Sequence, residues 1–321
     1  MSSLTVVINS FNRGKYIGPA IESVLNSSFG DFELLVLDDA STDGTAEVAR
    51  SVAARDKRIR LVVNERNLGQ FGNRNRAIEL VETPYLKYHD SDDLMYPYCL
   101  DTMMRLLQAE PEAGFALTAG WAWPGGPCPM LLTPRMSYQR EFLGQGMFYC
   151  GPSGALFRTE VLRKLGGFPD RGVASDYCFW LKACAVTPVV LVPADLFWYR
   201  MHPSQELQSE RAARDYAVGQ GESWRALLAE DCPLEGEDLS NAKGSCAFRL
   251  LRSSWRDVRA GRLALARLRL ASAGIRLRDL IRYPPRRIQD PRAGSPLGAD
   301  GDFIVPPWLS GETGRGAAID D

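Results

Sequence analysis

The sequence predicts an α/β protein: a mostly parallel sheet flanked by helices, with a helical extension toward the C-terminus. Three observations carry that expectation. Short apolar or β-branched runs at 4–8, 32–37, 59–63 and 85–88 are separated by helical patterns, which gives β-α-β-α-β-α-β. Beyond about residue 205 the strand-like runs stop and long helical patterns replace them. A chain of 321 residues with 45% hydrophobic content is also long and apolar enough for one large domain plus an appendage.

Each element has its own signal. Ile17, Ile21, Val24 and Leu25 share a face of the first helical pattern, and Ala46, Val48, Ala49, Val52 and Ala53 do so more loosely in the second. Parallel strands joined by right-handed crossovers follow. A helix is expected over 98–110, a strand over 115–118, and a Pro/Gly-rich loop over 124–134 that would lie above the site. A strand at 155–157 and a short helix at 160–165 precede the turn Gly166-Gly167-Phe168-Pro169 and a helix at 176–185. Helices then read at 205–230, 239–259 and 263–281, broken by Asp231-Cys232-Pro233 and Gly261. The expected organisation is a catalytic domain at 1–205, a basic helical extension at 206–283 and an extended or mobile tail at 284–321, with no internal repeat.

A net charge of −1 gives no global pull toward nucleic acid or an anionic surface. The seven cysteines are odd in number, scattered, and form no C-x-x-C pair, which fits reduced thiols in a cytoplasmic protein. The N-terminus lacks a basic region ahead of its first apolar run, so no signal peptide is read. The most apolar late stretch, 187–199, is broken by Pro188, Pro193 and Asp195 and is not a membrane span.

In an open sheet of this kind ligands bind beyond the carboxyl ends of the strands. Four polar clusters fall there: Asn9-Ser10-Phe11-Asn12-Arg13, Asp38-Asp39-Ala40-Ser41-Thr42-Asp43-Gly44, residues 64–72, and Asp90-Ser91-Asp92-Asp93. Asp90 and Asp92 are hard oxygen donors, the type that Mg²⁺ or Mn²⁺ prefers, and such ions commonly complete their shell with nucleotide phosphates. A solvated acidic turn capping a helix near Leu94 is the plainer alternative. Ser41, Thr42 and Asp43 already offer caps for the helix near Thr45, so Asp38 and Asp39 read as surplus to that duty and available to a base N–H. Arg74 opens a helix where its guanidinium and the helix N–H groups could face a diphosphate. His89 reads as structural. Trp121, Trp123, Tyr149 and Trp180 could stack on a sugar, although such aromatics are more often core.

Together these residues resemble glycosyltransferase family 2, the inverting nucleotide-sugar enzymes of the GT-A, Rossmann-like fold, over about residues 4–202. Asn9-Ser10-Phe11-Asn12 is similar to the family's Pro-Thr-Tyr-Asn, with Asn9 for the proline. Asp38 to Thr45 is similar to Asp-Asp-Gly-Ser-Thr-Asp-Gly-Thr, with Ala40 for the glycine. Asn67, Gly69, Arg74 and Asn75 resemble the next motif, and Asp90-Ser91-Asp92-Asp93 resembles D-x-D. Gly166-Gly167-Phe168 followed by Ser175-Asp176 resembles Gly-Gly-Phe and Glu-Asp, with Ser175 for the glutamate.

The resemblance implies a donor site of Ser10, Phe11, Asn12, Asp39, Arg74, Asp90 and Asp93, a divalent Mn²⁺ or Mg²⁺ on Asp92, and Asp176 as catalytic base. Arg200-Met201-His202-Pro203 resembles Arg-x-His-Pro, which places His202 near the metal or diphosphate unless it is simply a turn residue. Gly151-Pro152-Ser153-Gly154 falls where such enzymes approach the acceptor, or is a simple turn. The expected partners are a nucleoside-diphosphate sugar, of UDP or dTDP type, and a glycan or lipid-linked acceptor. Processive synthases carry Gln-x-x-Arg-Trp and membrane spans, both missing here, so transfer of a single sugar is expected. A sugar nucleotidyltransferase would open on Gly-x-Gly-Thr-Arg, and a non-catalytic binding protein would have lost Asp92 or Asp176.

The C-terminal helices carry Arg249, Arg252, Arg256, Arg259, Arg262, Arg267, Arg269, Arg276, Arg278, Arg282, Arg286 and Arg287, with Leu263, Ala266, Leu270, Ala273, Leu277 and Ile281 at helical spacing. Packing on the catalytic domain is the first reading, and peripheral contact with the inner face of a membrane the second. No nucleic-acid reader accompanies the charge.

Overall fold

The computed structural model describes residues 2–118, 128–144, 146–202 and 210–287. Its elements run β1 (Leu4–Ser10), α1 (Ile17–Leu25), β2 (Phe32–Asp38), α2 (Thr45–Ala53), β3 (Ile59–Val63), α3 (Gln70–Leu80), β4 (Tyr85–Asp90), β5 (Leu94–Met95), α4 (Cys99–Ala109), β6 (Phe115–Thr118), β7 (Met130–Leu132) and α5 (Pro134–Phe142). There follow β8 (Ala155–Arg158), α6 (Thr159–Lys164), α7 (Ser175–Val186), β9 (Val189–Val192), β10 (Phe197–Trp198), α8 (Glu210–Ala226), α9 (Gly236–Arg259), α10 (Leu263–Ala273) and α11 (Leu277–Arg282). Among the described residues the main sheet has eight strands in the order β3-β2-β1-β4-β8-β6-β9-β7. The first four pair in parallel, β8 lies antiparallel between β4 and β6, and β7 closes the far edge antiparallel to β9.

Alternation along the central strands explains why both sheet faces are covered. Val6 and Ile8 of β1 pack with α1, α2 and α4, whereas Val7 joins Leu35, Leu37 and Tyr88 on the face covered by α3 and α7. A strand buried on both sides reads as a continuous apolar run, which is the pattern of 4–8 and 32–37. The second core continues without a break into the helical extension through Trp224, Leu227, Ala247, Leu250 and Ala273. There α8 packs on α7, α9 on α5, and α10 on α8 and α9.

Several expectations are corrected. The strands β1, β2 and β4 run on into Ser10, Asp38 and Asp90, because backbone pairing continues past the last apolar residue. Leu94 begins no helix; with Met95 it forms β5, which pairs with β10. Part of the loop expected at 124–134 is the edge strand β7 and the start of α5, while 119–127 lie outside the described residues. The helix expected over 263–281 is two helices, because Gly274 adopts φ +66° and its N–H returns to Leu270 and Ala271. Of the tail, only 284–287 are described. All seven cysteines are free thiols, and no described helix is long and apolar enough to cross a membrane.

Ala40 sits where the family pattern has glycine, and its φ is +59°. The Asp38 carboxylate closes this turn by accepting the Ser41 N–H at 2.9 Å, which holds Ala40 left-handed. That conformation costs a non-glycine residue roughly 1–2 kcal/mol, against roughly 0.5–1 kcal/mol of extra chain entropy for glycine. Ala40→Gly should therefore stabilise the fold by about 0.5 kcal/mol. Urea unfolding checks this, and a destabilised variant would remove the strain.

Candidate active site

The carboxyl ends of three strands stand side by side, with Ser10 in register with Asp38 and Asn9 with Asp90. Two of the expected donor residues tie the first loop to the second. Ser10 is buried and its hydroxyl donates to Asp38 Oδ1 at 3.2 Å. Asn12, at φ +52°, donates its N–H to Ser41 Oγ and accepts the Thr42 N–H on Oδ1, both at 2.9 Å. Phe11 remains 44% exposed on the rim, so its ring face is open to a ligand.

Neither Asp38 nor Asp39 bonds the start of α2, and both are engaged by the loops around them. Asp38 accepts from Ser41 N and Oγ, while Asp43 caps α2 through the Thr45 N–H at 3.1 Å. Asp39 Oδ1 takes Asn64 Nδ2 at 2.8 Å and the Leu68 N–H at 2.9 Å, and Oδ2 takes the Gly69 N–H at 2.9 Å. Both aspartates thus shape the loops before any ligand arrives, and Asp39 still lines the cleft.

Arg74, 3% exposed, reaches across to Asp90 with Nη2 at 2.5 Å from Oδ1. Burial alone would raise the Asp90 carboxyl, but the Arg74 charge holds it below the ordinary range. The neighbouring Asn75 explains its own place in the motif: its amide pairs with both backbone groups of Phe168, at 2.8 and 2.9 Å. The left-handed Gly167 beside it admits this approach, since a Cβ there would lie 2.5 Å from Asn75 Oδ1.

Asp92 Oδ2 is a shared point. Arg13 Nε and His202 Nε2 each lie 3.0 Å from it, and His202 stacks on Tyr16 at 4.9 Å between ring centroids. The Asp92 carboxylate is a hard oxygen donor of the kind that Mn²⁺ or Mg²⁺ takes, and His202 sets an imidazole beside it. Among the described residues no group of three or more His, Cys, Asp or Glu could hold a metal. Asp93 turns inward. It is 1% exposed, accepts the Arg200 N–H at 3.0 Å, and is raised to about 8 by burial and by the Asp90 charge. Arg200 also donates from Nε to the Asp92 carbonyl at 2.7 Å, locking the 197–202 segment onto the acidic turn. The sequence places Arg13 in the first polar cluster and Arg200 in the Arg-x-His-Pro match without showing that both reach Asp92. The signal for Arg13 was a cation on the same rim as four aspartates.

Asp176 stands in the first turn of α7, half-buried, facing the same cleft. Burial raises its carboxyl, and the Tyr177 N–H and the Arg74 charge pull it back, leaving it at about 6. Ser175, in the family's glutamate position, donates from Oγ to the Gly172 carbonyl at 2.7 Å and accepts the Arg171 N–H at 2.9 Å, fixing the turn that presents Asp176. A buried network continues beneath. Glu141 accepts the Met147 N–H at 2.9 Å and the Tyr177 hydroxyl at 3.0 Å, and that hydroxyl lies 2.9 Å from Ser223 of α8. In the segment 151–154, expected near an acceptor, Ser153 Oγ takes the Asp90 N–H at 2.8 Å, and the fully buried Lys87 donates to the Ser153 carbonyl. Trp180 is core: fully buried, stacked on Phe157, with Nε1 donating to the Cys150 carbonyl at 2.7 Å. Tyr149, 72% exposed, lines the cleft, and Trp121 and Trp123 lie outside the described residues. The cleft of about 2510 Å³ is lined by Ser10, Phe11, Asp39, Arg74, Asp90, Asp92 and Asp176, and Asn12, Asp93 and His202 are adjacent in sequence or contact to that lining without forming it.

This sheet order and helix cover, with aspartates gathered on the carboxyl rim, define a GT-A glycosyltransferase fold. The profile of Glycosyl transferase family 2 matches residues 5–166, about half of the chain, and the chain belongs to that family. It is 29% identical over 148 residues to the GalNAc(5)-diNAcBac-PP-undecaprenol beta-1,3-glucosyltransferase of Campylobacter jejuni, covering 46% of this chain and 44% of that one. It spans 66%, 64% and 44% of the lengths of three curated relatives that it matches. Among solved structures, S. aureus TarS 1-349 in complex with UDP-GlcNAc aligns with a TM-score of 0.59 at 18% identity, over 85% of this chain and 90% of that one. The mannosyltransferase PcManGT from Pyrobaculum calidifontis, in complex with GDP-Man and Mn²⁺, aligns with a TM-score of 0.58 at 18% identity, over 87% and 78%.

Proposed function

We propose that the chain transfers one sugar, with inversion, from a nucleoside-diphosphate sugar of UDP or dTDP type to a hydroxyl of a glycan or lipid-linked acceptor, in the synthesis of a cell-surface polysaccharide or glycoconjugate. The observation that carries this is a carboxylate raised to about 6, Asp176, facing one cleft with Arg74, Asp90 and Asp92. A base near the operating pH is what removal of an acceptor proton requires. The named Campylobacter relative and the UDP-GlcNAc complex of TarS support the donor and acceptor classes.

On this reading Asp176 takes the acceptor proton as the hydroxyl oxygen attacks the anomeric carbon in line, and no covalent intermediate forms. Arg74 and Asp90 hold the donor between the helix of one and the strand end of the other. Asp39 offers a remaining lone pair to a base N–H, with Phe11 against the base, while Ser10, Asn12 and Asp93 keep these loops in register. Asp92 and His202 would hold Mn²⁺ or Mg²⁺, which when bound supplies positive charge to the departing diphosphate. Arg13 neutralises Asp92 before the cation arrives. The Mn²⁺ in the PcManGT complex supports this assignment. A thermal-shift screen of nucleoside diphosphates and their sugars with Mn²⁺ tests the donor class, because a ligand of the folded state raises its melting point. No shift with any of them would remove the proposal.

The peripheral membrane contact is retained in a narrower form. Ala266 and Ala273 are packed inside, but Leu263, Leu277 and Ile281 are exposed beside Arg267, Arg278 and Arg282. Such a surface suits an anionic bilayer. Failure to sediment with anionic vesicles at low salt would leave packing as the sole role of these helices.

A further inference from the structure

The arginines of the helical extension divide into two sets, and one of them faces the cleft. Arg252, Arg259, Arg267, Arg278 and Arg282 point to solvent away from it. On the cleft side, α8 to α10 and their connections contribute Arg211, Arg249, Arg256, Arg262 and Arg269; Asp257 lines the cleft with them, Asp215 lies 3.6 Å from Arg211, and the Glu141 charge acts on Arg249, which leaves five guanidinium groups against three carboxylates. We propose that this helical wall is an anion-reading acceptor subsite, so that the acceptor carries a phosphate or carboxylate apart from the hydroxyl that reacts. The inference rests on the transferase reading above and extends it from the donor to the acceptor.

The arrangement is built in advance. Asp257, 1% exposed, accepts Arg262 Nη2 at 2.7 Å on one oxygen and Arg269 on the other, and Arg269 Nε donates to Gln220 Oε1 at 2.6 Å. One carboxylate therefore orients two guanidinium groups and cancels the charge of one. Arg262 keeps 55% of its side chain exposed, and Arg256, also exposed, lines the same cleft. Arg249 Nη2 is buried and has no hydrogen-bond partner among the described residues. Holding α8 to α10 together would explain Arg269 but not this surplus of cations. Guanidinium groups held in a fixed fork suit phosphate and carboxylate oxygens.

Elsewhere in the lining the balance differs: Asp39, Asp90 and Asp92 stand with Arg13 and Arg74, and Arg13 pairs with Asp92 and Arg74 with Asp90, so no surplus of cations remains there. Asp176 lines the same cleft, close enough to Tyr216 of α8 to act on that phenol electrostatically. An acceptor anchored by its anionic group on the helices would present its hydroxyl toward Asp176 and the donor.

Binding is measured by calorimetry on the full chain saturated with UDP and Mg²⁺, comparing glucose 6-phosphate with glucose. The phosphate ester should bind about tenfold more tightly, the size of one or two charge-assisted hydrogen bonds. Arg211→Gln combined with Arg256→Gln should erase that preference, with the melting temperature as the control for folding, while Arg267→Gln combined with Arg278→Gln should keep it. Equal binding of the two sugars, no binding of the phosphate ester, or a preference that survives in the Arg211/Arg256 variant would overturn the inference. A parallel arm with phosphatidylglycerol vesicles separates the sources: loss of sedimentation in the Arg211/Arg256 variant assigns the anion to a lipid-borne acceptor, and unchanged sedimentation to a soluble one. If UDP itself does not bind, the donor reading fails, and the glucose 6-phosphate preference still decides the subsite.

Discussion

Asp176→Asn is expected to lower kcat by roughly 10²-fold or more, with donor affinity close to wild type. The amide keeps the volume and the contact with the Tyr177 N–H at 2.6 Å but cannot accept the proton. The pH dependence gives a second readout. Burial, the largest influence on Asp176, sets it at about 6, so the active carboxylate form is depleted below that pH and dominant above it. Wild-type kcat/KM should rise with pH through about 6 and then level, and the variant should lose that limb. If the limb persists in Asp176→Asn, or if donor binding fails while turnover at saturation is kept, Asp176 belongs to the binding surface.

Asp92→Asn is expected to abolish transfer and to weaken nucleotide-sugar binding in Mn²⁺, because a neutral amide oxygen lacks the charge that a hard divalent cation requires. The geometry makes this more than loss of one ligand. Asp92 Oδ2 is the meeting point of Arg13 and His202, each at 3.0 Å, so removing its charge leaves two cationic or polar groups facing each other. Mn²⁺ binding followed by electron paramagnetic resonance, with and without UDP, checks this apart from activity. Wild-type and variant protein binding Mn²⁺ equally in the presence of UDP would dismiss the assignment.

The first half of the sheet was legible because β1 and β2 are buried on both faces and mainly apolar, and because β3, an edge strand with Arg60 and Val63 exposed, still carries a β-branched run between two helical patterns. The second half was harder for a physical reason. β5 and β10 are two residues each, below the length at which alternation can be read, and β7 is an edge strand within a Pro/Gly-rich stretch. That β8 runs antiparallel between β4 and β6 is a matter of tertiary pairing and leaves no local trace.

At the candidate site, the motif positions gather at the carboxyl ends of the strands, yet several of their polar groups are engaged within the loops themselves. Ser10, Asn12 and Asp93 spend their hydrogen bonds on the loops. Composition does not separate a polar group that meets ligand from one that holds the loop meeting it. Lys87 and His89 illustrate the limit: both are charged-type residues in a strand, yet β4 is central and both are buried, with burial and the Lys87 charge lowering His89 to about 3. Nor did the arginine-rich helices announce which cations turn inward, since that follows from how α8, α9 and α10 pack.

The central claim is transfer of a sugar from a nucleoside diphosphate, and ³¹P and ¹H NMR of the full chain with Mg²⁺ and a panel of UDP-, dTDP- and GDP-sugars tests it most directly. The expected result is slow release of the nucleoside diphosphate from one donor class, with the sugar's anomeric proton appearing first in the inverted configuration. Appearance of a nucleoside triphosphate on adding pyrophosphate, first release with retained configuration, or no turnover of any donor would contradict it.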